Sequence, residues 1–199
     1  MSRINCICRS ASRIPRRGFT LVELLVVVVI VVVVIGLSLP ALSSAREAAR
    51  AAVCQSNLRG LGAAVASYAL SNKDLLPMAT KYPDLHEGRI APFDILAAEI
   101  GVNSPSLRDG LVHTGPPFLC PSDREYGHRV GTSYRYVPAD FMGIPYIWGS
   151  RPQYFVTRMY EDGPTDFLLI ADVKRFHGRT DHRSSTQAIF YSQVVRRLQ

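Results

Sequence analysis

The chain has 199 residues, 47 % of them hydrophobic, and a formal charge of +7. That length excludes a multidomain assembly and allows one globular domain beside a membrane segment. The basic balance invites a nucleic-acid reading, yet Arg3, Arg9, Arg13, Arg16 and Arg17 all fall in residues 1–18 with no acid among them. Without that segment 18 basic residues face 16 acidic ones, so the excess reads as a positive-inside signal and nucleic acid is not an expected partner.

The apolar stretch comes next. Leu24 through Ile35 are twelve consecutive Leu, Val or Ile residues, and from Phe19 to Leu42 only Thr20, Glu23, Gly36, Ser38 and Pro40 interrupt the apolar surface. This is about the 20 residues needed to cross the hydrocarbon core of a bilayer as a helix. A cleaved secretory signal fits poorly, because the run exceeds the usual apolar region of roughly 7–15 residues and no small-x-small cleavage site follows. A plain signal anchor would have no use for Glu23. A carboxylate within hydrocarbon costs on the order of 2.5–3.5 kcal/mol, which calls for a partner.

Behind Arg16-Arg17, the residues Gly18-Phe19-Thr20-Leu21-Val22-Glu23 resemble the cleavage and methylation motif of type IV pilins and type II secretion pseudopilins. The resemblance implies that a prepilin peptidase/N-methyltransferase cuts after Gly18 and methylates the new amino terminus at Phe19. It also implies that Glu23 pairs with the cationic terminus of a neighbouring subunit and fixes the register of assembly, since two opposite charges in an apolar bundle stabilise one another only when matched. Pro40 stands where these proteins carry a helix-bending proline. The other implied partners are further pilin or pseudopilin subunits and an inner-membrane assembly platform. The implied location is the bacterial inner membrane, single-pass, with the leader cytoplasmic and the C-terminal domain periplasmic or carried to the surface in a filament. The competing reading is a signal-anchored periplasmic or surface binding module that does not polymerise.

The helix is expected to continue beyond Pro40, because residues 41–52 are rich in strong helix formers. Cys54, Leu58, Leu61, Val65 and Tyr68 recur at helical spacing and form one stripe, and the helix should end near Ser71-Asn72 with Pro77 beyond. Further on, Pro92–Ile100 reads as a short helix and Ser133–Val137 as a strand. Gln153–Met159 reads as a weaker strand, Phe167–Ala171 as a central strand, and Ala188–Tyr191 with Val194–Leu198 as a terminal hairpin. The fold class is therefore α+β and pilin-like, a long N-terminal helix packed on an antiparallel sheet. The expected divisions are a leader at 1–18, a transmembrane and assembly half of the helix at 19–42, an amphipathic half at 43–76 and an exported domain at 77–199.

Cys6 and Cys8 lie in the leader. Cys54 and Cys120 fall in the exported part, as a single disulfide or as two buried thiols.

A second resemblance rests on Ala45-Arg46-Glu47-Ala48-Ala49-Arg50, Cys54-Gln55-Ser56-Asn57-Leu58, Cys120-Pro121-Ser122-Asp123 and Glu161-Asp162-Gly163-Pro164-Thr165. Together these resemble a large bacterial family of pilin-like proteins of unassigned function. Its members often end with a histidine, nine residues and Asp-Gly. Here His182 is followed after nine residues by Ser192-Gln193, so the spacing is kept and the type I′ turn pair is lost.

Asp172, His177, Asp181 and His182 are close in sequence, with His86, His113 and His128 elsewhere, but no spacing among them is a recognised ligand or catalytic pattern. No Gly-rich phosphate loop or Gly-x-Ser-x-Gly occurs. The expectation is a non-enzyme without cofactor or metal. Tyr134, Tyr136, Phe141, Tyr146, Trp148, Tyr154 and Phe155 are expected to fill the core in preference to forming a carbohydrate or subunit contact.

Overall fold

The computed structural model describes residues 19–79, 84–88, 92–143, 150–163, 167–173, 176 and 187–194. A 51-residue helix, α1, covers Leu21–Ser71, and the chain divides into two compact units between Ser43 and Ser44.

In the first unit, the large apolar side chains from Leu21 to Ile35 are between 48 and 79 % exposed. Val26 to Ile35 are ten consecutive β-branched residues, which in water favour strands. In hydrocarbon the helix wins because it satisfies nearly all backbone N–H and C=O groups within the segment. The two serines here are also satisfied locally: Ser38 Oγ donates to Val34 O at 2.7 Å and Ser43 Oγ to Pro40 O at 2.9 Å. Pro40 lies inside the helix and has no N–H to donate.

In the second unit, Cys54, Leu58, Leu61 and Val65 are buried and Tyr68 is half-buried, so the remainder of α1 presents one face to a core. The next elements are α2 (Phe93–Ile100), the β1–β2 hairpin (Ser106–Arg108, Leu111–His113), α3 (Tyr126–Val130), β3 (Tyr134–Tyr136) and α4 (Pro138–Met142). They are followed by α5 (Pro152–Asp162), β4 (Leu168–Asp172), β5 (Ala188–Phe190) and the single turn α6 (Tyr191–Val194). The strands β3-β4-β5 form an antiparallel sheet with β4 in the centre, and β1 and β2 form a separate two-stranded one. The fold is α+β, with a long apolar N-terminal helix and antiparallel sheets C-terminal to it.

The core joins Leu58, Leu61 and Val65 of α1 to Phe93 and Leu96 of α2, Phe118, Tyr134 and Tyr136 of β3, Val156 and Tyr160 of α5, and Leu169 and Ile170 of β4. Phe93 meets Phe118 edge-on at 5.7 Å between centroids, and Tyr160 is ringed by Phe141, Phe167 and Tyr191.

Three expectations change. Gln153–Met159 is helical: Pro152 stands in the first turn with its φ already set, and Val156, Thr157 and Tyr160 turn inward at helical spacing. That pattern outweighs the strand preference of Tyr-Phe-Val-Thr. Of the expected terminal hairpin the first strand is present as β5, which runs directly into the helical turn Tyr191–Val194, so Val194 is helical; residues 195–199 lie outside the described residues. Between Ile100 and Phe118, where no strand is expected from the sequence, the chain forms the β1–β2 hairpin, closed by Asp109 and Gly110 at φ 52° and 73°. Both are left-handed, as a type I′ turn requires. The aromatic set also divides: Tyr134 and Tyr136 are buried, Phe141 is half-buried, whereas Tyr154 and Phe155 are 47 and 45 % exposed, and Tyr146 and Trp148 lie outside the described residues.

Tyr134, Tyr136 and Tyr160 are held above the ordinary phenol range chiefly by burial, and each donates its hydroxyl to a main-chain carbonyl: Cys54 O, Pro77 O and Leu168 O respectively. A group with a raised folded pKa contributes its stability below its unfolded pKa and loses it as pH rises. Stability should therefore fall above about pH 10, by up to roughly 1.4 kcal/mol per pH unit for each such tyrosine. In a spectrophotometric titration of the nine tyrosines, a buried group should ionise only together with the loss of native circular dichroism. Uniform ionisation near pH 10 with the native signal intact would contradict this.

Candidate functional site

Two regions carry the residues singled out by their sequence. The first is the start of α1. Thr20 and Glu23 form a reciprocal cap: Glu23 N donates to Thr20 Oγ1 at 3.2 Å, while Glu23 Oε2 accepts from Thr20 N at 2.9 Å and Thr20 Oγ1 at 2.7 Å. This is a Thr-x-x-Glu capping box, which satisfies two donors that a helix start leaves open. Glu23 Oε1 accepts no hydrogen bond from a described residue. One carboxylate oxygen closes the helix of its own chain and the other remains open to a donor from elsewhere. The Thr20 relation was present in the sequence as a capping-box spacing, although Glu23 stood out there for its charge. Gly18 lies outside the described residues, and Phe19 is exposed.

The second region clasps α1 to the loop before β3. Cys54 and Cys120 form a disulfide with a Cα–Cα distance of 5.0 Å, and both are buried. One helical turn further on, Asn57 Nδ2 donates to Leu119 O at 2.9 Å and to Tyr134 Oη at 3.2 Å. Two turns before Cys54, Glu47 Oε1 accepts from Ser122 Oγ at 2.9 Å. Cys54 and Asn57, three apart, share a face that meets Leu119 and Cys120, so adjacent residues on one side match adjacent residues on the other.

Asp123 organises the loop itself. Its Oδ1 accepts from Glu125 N at 3.1 Å and Tyr126 N at 2.9 Å, and its Oδ2 from Gly127 N and Ser133 Oγ, each at 2.7 Å. Ser133 Oγ in turn accepts from Cys120 N at 3.0 Å. The buried carboxylate is thus compensated by four donors. A side chain at Gly127 would place its Cβ 2.8 Å from Asp123 Oδ2, 2.6 Å from Ser133 Oγ and 2.5 Å from Leu119 Cδ2, which is why this position holds glycine. The Cys-Pro-Ser-Asp segment does structural work in this fold: Cys and Ser reach back to α1, and Asp holds the loop in shape.

Among the described residues the histidine and carboxylate candidates form no metal-ligand group. Asp172 is buried at the end of β4, where its Oδ2 accepts from Gln187 N at 3.1 Å. His177, Asp181 and His182 lie outside the described residues, while Ser192 and Gln193 belong to the helical turn α6 and not to a hairpin turn. Among the described residues no three His, Cys, Asp or Glu side chains group as metal ligands. His86 and His128 are exposed and apart, and His113 belongs to the β1–β2 hairpin.

Comparison with known families places the two regions in two models. Residues 13–39 match the prokaryotic N-terminal methylation motif, and residues 43–93 match a protein of unknown function (DUF1559). The two matches together are consistent with a type IV pilin-like protein of unassigned function. The first match marks a prepilin-type substrate and implies processing by a prepilin peptidase and pilin-type assembly. The long apolar helix fits membrane anchoring. The second match takes in Cys54 and Asn57 and ends before Cys120, so it covers one side of the clasp. No curated protein and no solved structure matches the chain.

The clasp makes two measurements decisive. Replacing Cys54 and Cys120 with serine removes a cross-link over 66 residues and should cost about 4 kcal/mol of stability. The wild-type thermal midpoint should fall to that of the double variant when reductant is added, and an unmoved midpoint would remove the disulfide from the account. Asn57→Ala leaves Leu119 O without its donor and should cost about 1–3 kcal/mol even in the oxidised protein.

Proposed function

We propose that this chain is a structural subunit of a type IV pilus or a type II secretion pseudopilus, made as a prepilin and incorporated into a filament or decorating one. The observation that carries the reading is the segment Leu21–Ile35. From Leu24 to Ile35 it is apolar on all sides, and its large side chains are about half or more exposed. Such a surface needs either lipid or other copies of the same kind of helix, and the methylation motif over residues 13–39 supports a path from the first to the second.

In this reading residues 1–18 are the cytoplasmic leader and 19–42 the transmembrane and assembly half of α1. Residues 43–76 form the amphipathic half and 77–199 the exported domain, periplasmic before assembly. A prepilin peptidase/N-methyltransferase cuts between Gly18 and Phe19 and methylates Phe19. An inner-membrane platform then extracts the helix into contact with other pilin or pseudopilin subunits. Pro40 is the bend that lets the helix follow its neighbours.

Glu23 sets the register. The cap leaves Oε1 free, so a neighbour's cationic amino terminus can be matched there without opening the helix start. Glu23→Gln keeps a side-chain acceptor for Thr20 and removes the charge. That variant should still be processed to a chain beginning at methylated Phe19, as read by intact mass, yet enter filaments poorly. Normal incorporation would end the register role. A full-length mass with the leader intact, in cells where the peptidase acts on other substrates, would overturn the prepilin reading itself.

A further inference from the structure

We propose that the cleft between the α2–β1 connection and the β1–β2 hairpin binds an acidic saccharide, with Arg108 taking its carboxylate. The register places Ser106 opposite His113 and Arg108 opposite Leu111. Directly opposed residues share a face, as do residues two apart on one strand, so these four side chains stand on the same side of the hairpin. Of these, Ser106, Arg108 and His113 line a cleft of about 640 Å³, and Val102, Asn103, Ser104, Thr114 and Pro116 are among the residues lining the rest of it.

Among the described residues no acidic side chain lines the cleft. Thr114 Oγ1 donates to Gly131 O at 2.7 Å. The side chains of Asn103, Ser104, Ser106, Arg108 and His113 are not bonded to any other described residue. They therefore face solvent with their hydrogen-bonding capacity unspent, which distinguishes them from the saturated polar groups of the clasp.

The chemistry selects the ligand class. Hydroxyl and amide side chains both donate and accept, which matches the closely spaced hydroxyls of a sugar ring, while a guanidinium offers the paired donors that a carboxylate accepts. Val102 and Pro116, both exposed in the lining, offer an apolar contact for the C–H face of a sugar. A nucleic-acid strand would call for several cations and stacking aromatic rings, and among the described residues this cleft has one guanidinium and, besides His113, no aromatic ring. A peptide anchor would call for an apolar pocket, and the lining here is mainly polar. The site stands whether or not the chain polymerises.

The test uses the full-length protein in a non-ionic detergent, with polygalacturonate as the probe and calorimetry as the readout. Polygalacturonate should bind and neutral dextran should not. Arg108→Gln should weaken binding about tenfold or more, the loss expected for one charge-assisted contact. Ser106→Ala, which removes a hydroxyl from the same wall, should weaken it measurably with an unchanged thermal midpoint. Arg124→Gln, at an exposed arginine outside the cleft, should leave it unchanged. The proposal is overturned if polygalacturonate fails to bind, or if Arg124→Gln costs as much as Arg108→Gln, which would mean diffuse attraction. It is also overturned if inorganic phosphate at equal concentration displaces the polymer, which would mean a simple anion site.

Discussion

The head depends on how one face of α1 is held at residues 54–58. A helix contributes a stripe to a core only if something fixes its rotation and its axial position. Leu58, Leu61 and Val65 supply apolar area, which is largely indifferent to small slips along the helix. The disulfide and the Asn57 side chain are not indifferent. A bond from Cys54 to Cys120 and a donor from Asn57 to the carbonyl of Leu119, one residue earlier, can be made together in one rotation only. Tyr134 links the same point to the sheet, since its hydroxyl lies between Asn57 Nδ2 and Cys54 O. The order of β3 relative to α1 thus follows from a few polar contacts within an apolar surround, where each is costly to break.

That arrangement explains what could be read from the chain alone. The long helix, its buried stripe, the α2 helix and the central strand Leu168–Asp172 all announce themselves by apolar periodicity, and burial follows apolar periodicity closely. Gln153–Met159 misleads because its residue types favour strands while its spacing and the preceding proline favour a helix. There, tertiary burial of Val156 and Tyr160 decides. The hairpin at Leu107–Leu111 was legible in Asp109-Gly110 between two leucines, and was obscured by the density of Gly, Pro and Asn around it. The four-donor environment of Asp123 was not legible. It joins residues at 120, 125, 126, 127 and 133 through a loop whose shape no local pattern specifies.

The first part of α1 obeys a different solvent. Its β-branched run would be a poor helix and a good strand in water, and only a medium without hydrogen-bonding partners makes the helix compulsory. The same condition governs its few polar groups. Thr20, Ser38 and Ser43 turn their hydroxyls onto atoms of their own helix, and Glu23 commits one oxygen to its own cap. Among the side chains of that stretch, Glu23 alone keeps an oxygen that accepts from no described residue.

Polar side chains in this protein therefore fall into two kinds, and the difference carries the functional reading. Around Asp123 and Asn57 the donors and acceptors are matched to one another, so the motif residues there hold shape and have little left to offer a ligand. In the cleft beside Arg108 the hydroxyls of Ser104 and Ser106, the Asn103 amide and the guanidinium are not matched to one another. A fold gains nothing in stability from lining a concavity with open donors and no acid, because water satisfies them equally well in the unfolded chain. Water is also what a ligand with its own hydroxyls and carboxylate can displace contact for contact. The saturated clasp provides the rigid head, and the unsaturated cleft is where that head can distinguish one surface from another.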